Sequence, residues 1–228
     1  MAHSTRTLPA CAIAALALAA TLLGVQDQAQ ALDAGDWLVR LRGIAVLPQD
    51  SSGPILPALP TAGIGVGDSG TGEVDFTYMV TENIGAELIL ASPHHDLNGT
   101  GSIAALGQIG DTRLLPPVLT LQYHFLPKSW IRPYLGIGVN YTIFYDEHAS
   151  NSLAVALGGK ADLTLDNSVG VAGQVGVDID VADNVFLNLD VKYVDLDTVA
   201  HVTAGALALR SDVHIDPIVV GVGVGMRF

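Results

Sequence analysis

The segment DEHASNS, residues 146–152, contains the side chains best suited to catalysis. Asp146, His148 and Ser150 offer an acid, a base and a nucleophile within five positions. Hydrolases need these three types to converge so that the base contacts the nucleophile. Alternate-residue spacing in a connecting segment places side chains on one side without creating that contact. We therefore predict that the protein is not an enzyme and has no catalytic residues.

A second group of polar side chains could coordinate a cation. His94, His95 and Asp96 are consecutive, and His148 lies further along the chain among acidic residues. Imidazole and carboxylate groups are common metal ligands, but adjacent residues of a strand point to opposite faces. Cys11 is the only cysteine, and it precedes the expected mature chain. We therefore predict no metal site and no cofactor.

The amino-terminal residues have the pattern of a secretory signal peptide. Arg6 gives a basic start, an apolar run covers residues 10–25, and Ala29 and Ala31 are small residues suited to a cleavage site. The alternative is a membrane anchor, but the run is shorter than the ~20 residues that a spanning helix needs. We predict that residues 1–31 are a cleaved signal peptide and that residues 32–228 form one barrel domain.

The composition limits the function classes. Ten basic residues stand against twenty-three acidic ones, for a net charge of −13, so a nucleic-acid partner is not expected. Half of the residues are hydrophobic and only 14% are charged, yet no apolar run after the signal is long enough for a spanning helix. An exported chain of this kind can satisfy its backbone in a membrane as a closed β-barrel.

Alternating apolar and polar residues indicate eight strands. They cover residues 35–48, 72–81, 84–92, 116–125, 131–145, 169–181, 185–197 and 212–228. Three connections are short, at 81–85, 126–130 and 182–184, and four are long, at 48–72, 95–112, 146–166 and 197–211. This asymmetry predicts an all-β protein, an eight-stranded antiparallel transmembrane β-barrel in the cell outer membrane. A soluble sandwich or lipocalin-like barrel shows the same alternation.

The terminal aromatic residue, Phe228, favours the outer-membrane alternative. The last apolar-alternating segment, GVGVGMRF, ends on it. We expect the last strand to close the barrel against the first, with Phe228 acting as the signal read by the barrel assembly machinery.

Several longer segments resemble the OmpW family. They are FTYMVTENIGAELILASP (76–93), IRPYLGIGVNYTIFYDE (131–147), VGVAGQVGVDIDV (169–181) and the terminal GVGMRF. The resemblance covers essentially the whole mature chain and includes AlkL-like relatives linked to alkane uptake. It implies an outer-membrane barrel with a narrow apolar channel that assists the passage of small hydrophobic molecules. Expected partners are outer-membrane lipid and lipopolysaccharide, small hydrophobic solutes and the assembly machinery.

Strand parity assigns residues to the barrel interior. Candidates for lining the lumen are Ile89, Met79, Val118 and Phe144, grouped as an apolar upper passage, and Lys192. Candidates for a charged plug near the periplasmic side are Arg40, Arg42, Glu73, Asp75, Glu87, Asp178 and Asp190. Unpaired buried charges are costly, so we expect these groups to pair. A plug would interrupt a continuous apolar tunnel, and a solute could then leave sideways into the bilayer.

Three of the long connections are unusually apolar. They are residues 53–67, 152–159 and 202–209. Exposed apolar surface marks a binding site in many proteins, so these segments could capture a hydrophobic solute. Alternatively, they are strands prolonged above the membrane that pack on one another. A structural or receptor role for the barrel, without transport, is the competing hypothesis for the whole protein.

Overall fold

A computed structural model describes residues 31–228, and the predicted signal peptide, including Ala29, lies outside these residues apart from Ala31. Fifteen strands and one short helix are present in the described part. The strands are β1 (Trp37–Leu47), β2 (Ser51–Ser52), β3 (Ala62–Val66), β4 (Ser69–Met79), β5 (Ile84–Ala91), β6 (His94–Gly101), β7 (Gln108–Leu115), β8 (Val118–His124), β9 (Ile131–Ala149), β10 (Asp162–Leu165), β11 (Ser168–Ala182), β12 (Val185–Val194), β13 (Asp197–Ala204), β14 (Leu207–His214) and β15 (Ile218–Arg227). A 3-10 turn covers Ala104–Leu106, and helix α1 covers Asn151–Ala156.

Eight of these strands close into an antiparallel barrel. Around the ring the order is β1, β4, β5, β8, β9, β11, β12 and β15. Closure comes from β15 pairing with β1, in a register that places Leu38 opposite Arg227 and Leu47 opposite Ile218. The predicted eight-stranded antiparallel barrel is confirmed.

The chain turns quickly at one end of the barrel and makes long excursions at the other. We call these the short-turn end and the outer end. Short turns of a transmembrane barrel are expected on the periplasmic side. Aromatic residues at the strand ends expose their rings to the surroundings, as expected for interfacial girdles. These are Trp37, Tyr78, Tyr123, Trp130, Tyr141, Tyr145 and Tyr193.

The four long connections contain far more strand than predicted. The 95–112 connection is mainly β6 and part of β7, which extend β5 and β8 outward, and residues 197–211 form β13 and part of β14. The 146–166 connection holds the end of β9, helix α1 and β10, and the 48–72 connection holds β2, β3 and the start of β4. The barrel wall therefore continues beyond the transmembrane ring. The alternative that apolar connections prolong the strands holds for parts of 53–67 and 202–209, whereas the apolar segment 152–159 begins as a helix.

The reason for this difference is a reversal of the alternation along each strand. In β12, Leu189, Val191 and Tyr193 face outward. In β13, which continues the same wall, Ala200 and Val202 are buried and the alternate positions of the strand face outward. The apolar face moves from outside to inside where lipid gives way to water, so a single alternating pattern breaks at that level. None of the helices within residues 31–228 is long and apolar enough to cross a membrane.

Candidate functional site: the barrel interior

A charged layer fills the transmembrane part of the lumen. Arg40 lies at its centre, fully buried, with its guanidinium 3.0 Å from the Asp75 carboxylate and 2.8 Å from that of Asp178. The same guanidinium lies over the rings of Tyr134 and Phe186, 5.4 and 5.5 Å from their centroids. A buried cation is tolerated because these two carboxylates and two rings replace its water.

Arg42 is the second cation of this layer, one inward position further along β1. Its Nη2 lies 2.6 Å from Glu73 and 2.9 Å from Asp75, and its Nη1 donates to the Asn188 amide oxygen at 3.1 Å. Glu87 accepts a hydrogen bond from the Gln174 amide at 2.6 Å. All seven residues predicted to form the plug are thus buried in one connected network. They are Arg40, Arg42, Glu73, Asp75, Glu87, Asp178 and Asp190.

Lys192 lies at the outer boundary of the charged layer. Its ammonium is 3.4 Å from Asp190 and 3.9 Å from Glu73, and in the described part of the chain it makes no hydrogen bond. Lys192 and Glu73 also line a small cavity above them. Lys192, predicted as a lumen-lining residue, therefore belongs both to the charged network and to the floor of this cavity.

Tyr134 and Asn188 belong to the network but were absent from the sequence-based candidates. The Tyr134 hydroxyl donates to Asp190 at 3.0 Å, and the Asn188 amide donates to Asp178 at 2.8 Å. Strand parity is the signal that could have found them, since Tyr134 shares the inward face of β9 with Gly136. Gly176 makes room for the ring, because a Cβ atom there would lie 2.3 Å from Tyr134.

An apolar cluster closes the short-turn end below the charged layer. Leu32, Leu38, Met79 and Phe186 pack together there, and each is almost completely buried. The Leu32 amide donates to the Pro127 carbonyl at 2.8 Å, which holds the first of the described residues in the barrel mouth. Met79 was grouped with an apolar upper passage, and this placement is wrong. Met79 ends β4 beside the first short turn, so it lies on the opposite side of the charged layer.

Above the charged layer the interior is apolar. The cavity over Lys192 has a volume of about 50 Å³, and Ile89 and Val118 line it. A second cavity of about 10 Å³, lined by Phe144, follows toward the outer end. The two cavities share His95, Leu114 and Ile215 as lining residues.

A larger space lies at the outer end. We call it the outer cavity; its volume is about 390 Å³, and its lining is apolar except for Ser102, Arg210 and Ser211. The three apolar segments singled out in the sequence converge on it. Lining residues from these segments are Ile55, Ala58, Leu59, Ile64, Leu153, Ala156, Leu157, Val202, Leu207 and Leu209. Ile64 and Ala200 also line the 10 Å³ cavity, so the three cavities follow one another along the interior. We call this series of cavities the apolar column.

His95 and Thr112 are the polar side chains in the middle of this column, and His95 is the one that can ionise. Its side chain is almost fully buried, and Nδ1 donates to the Gly67 carbonyl at 2.7 Å. Burial lowers the pKa of His95 below the ordinary value for histidine, and the hydrogen bond to Gly67 opposes this shift. The neutral imidazole is therefore favoured, which keeps a formal charge out of the column.

The wall beside the 50 Å³ cavity contains an interruption between the third and fourth barrel strands. Ladder pairing of β5 with β8 ends at Ile89–Val118, and pairing of β6 with β7 starts at His94–Arg113. Pro93 and Pro116 lie between these pairs and line the cavity. Proline has no amide hydrogen to donate to a ladder, so the regular ladder between these two strands is broken where the column ends on the charged layer.

The candidate hydrolytic residues have separate partners. Ser150 caps helix α1, where its Oγ accepts from the Leu153 amide, and it bonds to Ser152. His148 interacts with the Asp146 carbonyl and with Asp111. Among the described residues, no hydrogen bond joins His148 to Ser150. This arrangement does not create a nucleophile–base pair.

Phe228 lies where the barrel closes. Its amide and carbonyl exchange hydrogen bonds with Trp37 at 2.9 and 3.0 Å, and its side chain is 69% exposed. The ring thus faces outward at the short-turn end. That the assembly machinery reads Phe228 stays a prediction.

Comparison with known proteins agrees with this architecture. The model of the OmpW family matches residues 33–228. The Outer membrane protein W of Salmonella typhimurium strain LT2 is 38% identical over 95% of this chain and 98% of its own length. Among solved structures, outer membrane protein OprG from Pseudomonas aeruginosa superimposes with a TM-score of 0.82 at 32% identity, covering 88% of this chain and 99% of that one.

A more distant relative has a name that refers to metabolism. It is the Dibenzothiophene metabolism operon protein PahQ of Pseudomonas aeruginosa, 26% identical over 84% of this chain and 88% of that protein. The family match extends over nearly all described residues, and similar proteins are outer-membrane barrels by name and by structure. This chain is a member of the OmpW family and is located in the outer membrane.

Proposed function

We propose that the barrel assists the passage of small hydrophobic molecules across the outer membrane. The observation that carries this proposal is the apolar column, which starts at the 390 Å³ outer cavity and ends on the charged layer. An apolar cavity in a folded protein is poorly hydrated, so an apolar solute that enters it displaces little bound water. The relative named for dibenzothiophene metabolism supports the same solute class.

Entry would begin at the outer cavity. The segments that line it could bind a solute and also pack against one another. Ile55, Leu153 and Leu209 belong to the main apolar cluster and also line the space. The two hypotheses raised by the apolar connections are therefore compatible. A solute of a few ring or chain carbons would exchange water for these side chains, which stabilises it by about 25 cal/mol per Å² of apolar surface buried.

Exit would occur through the wall rather than into the periplasm. Below the column, the charged network and the cluster around Leu32 fill the lumen. Beside the column, the interrupted ladder at Pro93 and Pro116 borders the 50 Å³ cavity. An apolar solute would leave there into the bilayer, because crossing the charged layer would separate buried ion pairs at a large cost.

A cysteine pair at Ala91 and Pro116 tests this route. The two positions lie opposite one another if the register of β5 and β8 continues across the interruption. Their disulfide should slow uptake of a labelled medium-chain alkane by cells, and reduction should restore it. A pair at Ala86 and Leu121, which face each other in the intact ladder, is the matched control and should have no effect.

A polar solute of similar size separates transport from the competing structural or receptor role. Barrel-dependent entry of the alkane alone supports the channel. Equal entry of both solutes with and without the protein, in cells whose outer membrane contains the folded barrel, would contradict the channel and favour the structural role. Barrel-dependent alkane uptake that the Ala91–Pro116 disulfide leaves unchanged would contradict the wall exit alone.

A further inference from the structure

Three polar side chains from neighbouring strands meet on the outer surface of the extended wall. His94 in β6 places its Nε2 3.2 Å from Asp111 Oδ1 in β7, and His148 in β9 places its Nδ1 3.7 Å from the same oxygen. Asp111 and His148 are direct partners in the strand register. Sequence separation hides this group, because the two histidines are more than fifty positions apart.

An irregularity in β9 gives His148 its outward direction. Arg113 pairs with Tyr145 and Asp111 pairs with His148, so β9 contains one residue more than β7 over this stretch. Asp146, which lies in this stretch, has a φ of 56°. Tyr145 and His148 are consequently both exposed, whereas regular alternation would turn His148 inward. His95, the neighbour of His94, remains inside the barrel and is not part of the group.

Across the described part of the chain, Asp111 pairs with no lysine or arginine, so its carboxylate could bind a cation. Among the described residues, His94 and His148 are its only ionic partners within 4 Å. The nearest arginine, Arg113, pairs instead with Asp146 at 3.4 Å. Neutral imidazoles can turn a ring nitrogen toward a cation, and the carboxylate supplies the negative charge.

We propose that His94, Asp111 and His148 form a surface site for a borderline divalent transition metal such as Zn²⁺. Two imidazole nitrogens and one carboxylate oxygen are the ligand types that such ions prefer, whereas Ca²⁺ and Mg²⁺ prefer oxygen ligands alone. Zinc requires ligand distances of about 2.0–2.2 Å, so the rings must turn toward one another. The two imidazoles are exposed and Asp111 is half-buried, so the imidazoles have room to turn toward the carboxylate. The bound ion would tie β6, β7 and β9 together on the outside of the wall.

Zinc titration of the folded mature barrel in detergent micelles, prepared without a histidine tag, tests the proposal. Calorimetry or competition with a zinc indicator should detect one bound Zn²⁺ at pH 7.5, and millimolar Ca²⁺ should not displace it. His94→Gln, His148→Gln and Asp111→Asn should each weaken binding at least about tenfold, since loss of even an outer-shell partner costs about 10–100-fold in other metal sites.

His201→Gln is the matched control. His201 is also an exposed strand histidine, but it contacts a single carboxylate, Asp166, at 3.2 Å. This variant should bind zinc as the parent does, and all four variants should retain the folded form by gel mobility before heating. Absence of zinc binding by the folded parent would overturn the proposal. Equal weakening in the control, or unchanged binding in His94→Gln and His148→Gln, would also overturn it.

Discussion

The transmembrane and outer parts of this barrel place their apolar side chains on opposite faces of the wall. Within the bilayer, Leu189 and Val191 face lipid, while Asp190 and Lys192 lie side by side on the inward face of the same strand, in a filled lumen. Beyond the bilayer the same wall turns polar residues to water and encloses apolar ones. The contrast shows that the solvent outside the wall decides which face is apolar. An apolar interior can contain empty cavities, whereas each buried charge needs oppositely charged or hydrogen-bonding partners around it.

Removing a cation from the charged layer should have the largest effect. Arg40→Met leaves Asp75 and Asp178 without their principal partner, so we expect a loss of about 3–5 kcal/mol in the free energy of unfolding. Urea unfolding of the barrel in lipid vesicles measures this quantity. Lys128→Met, which breaks the exposed pair with Glu82 at 3.1 Å, should cost at most about 1 kcal/mol. Similar losses in the two variants would contradict the view that the filled layer is the stability-determining part.

Blocking the apolar column should change transport more than stability. Ala200 lines both the outer cavity and the cavity below it, so Ala200→Phe should abolish most of the barrel-dependent alkane uptake. The extra ring should cost about 1–3 kcal/mol of stability by overpacking, less than Arg40→Met. Thr203→Phe on the exposed face of the same strand provides the comparison and should leave uptake unchanged. Full uptake by Ala200→Phe would exclude the column as the route.

The smallest effect should be the pH dependence contributed by His95. Burial lowers its pKa in the folded protein, whereas the unfolded chain has a histidine pKa of about 6.5. Below that pH the unfolded state takes up a proton that the folded state resists, so stability should decline as pH falls through about 6.5. His95→Gln removes this titration. A slope between pH 7.5 and 5.5 that is identical in parent and variant would assign the dependence to other groups.

Much of the charged layer could be predicted because strand parity is a local property. Arg40 and Arg42 alternate with Val39 and Leu41, and the same rule identifies Glu73, Asp75 and Asp178 as inward. Parity cannot say at which height a residue lies in the lumen, and so Met79 was grouped with Ile89 and Val118. Height depends on which turn each strand joins and on the stagger between neighbouring strands.

The extended strands were missed for a physical reason that is specific to this location. Residues such as Leu97 and Ile109 are apolar and inward, but their outward neighbours face water. The pattern therefore shifts phase at the membrane surface, and Gly-rich stretches such as residues 99–107 conceal what remains of it. A prediction that permits one reversal of the apolar–polar alternation per strand would include β6, β7 and β13.

Sequence alone determined the class of fold and the compartment, since strand alternation and apolar composition act locally or as averages over the chain. The family resemblance came from contiguous segments for the same reason. Only the tertiary structure decided that three distant apolar segments surround one cavity, that the wall is interrupted at Pro93 and Pro116, and that His94 and His148 share a carboxylate. These features depend on strand register and on one irregularity in β9, and such long-range pairings are set by the closure of the whole barrel.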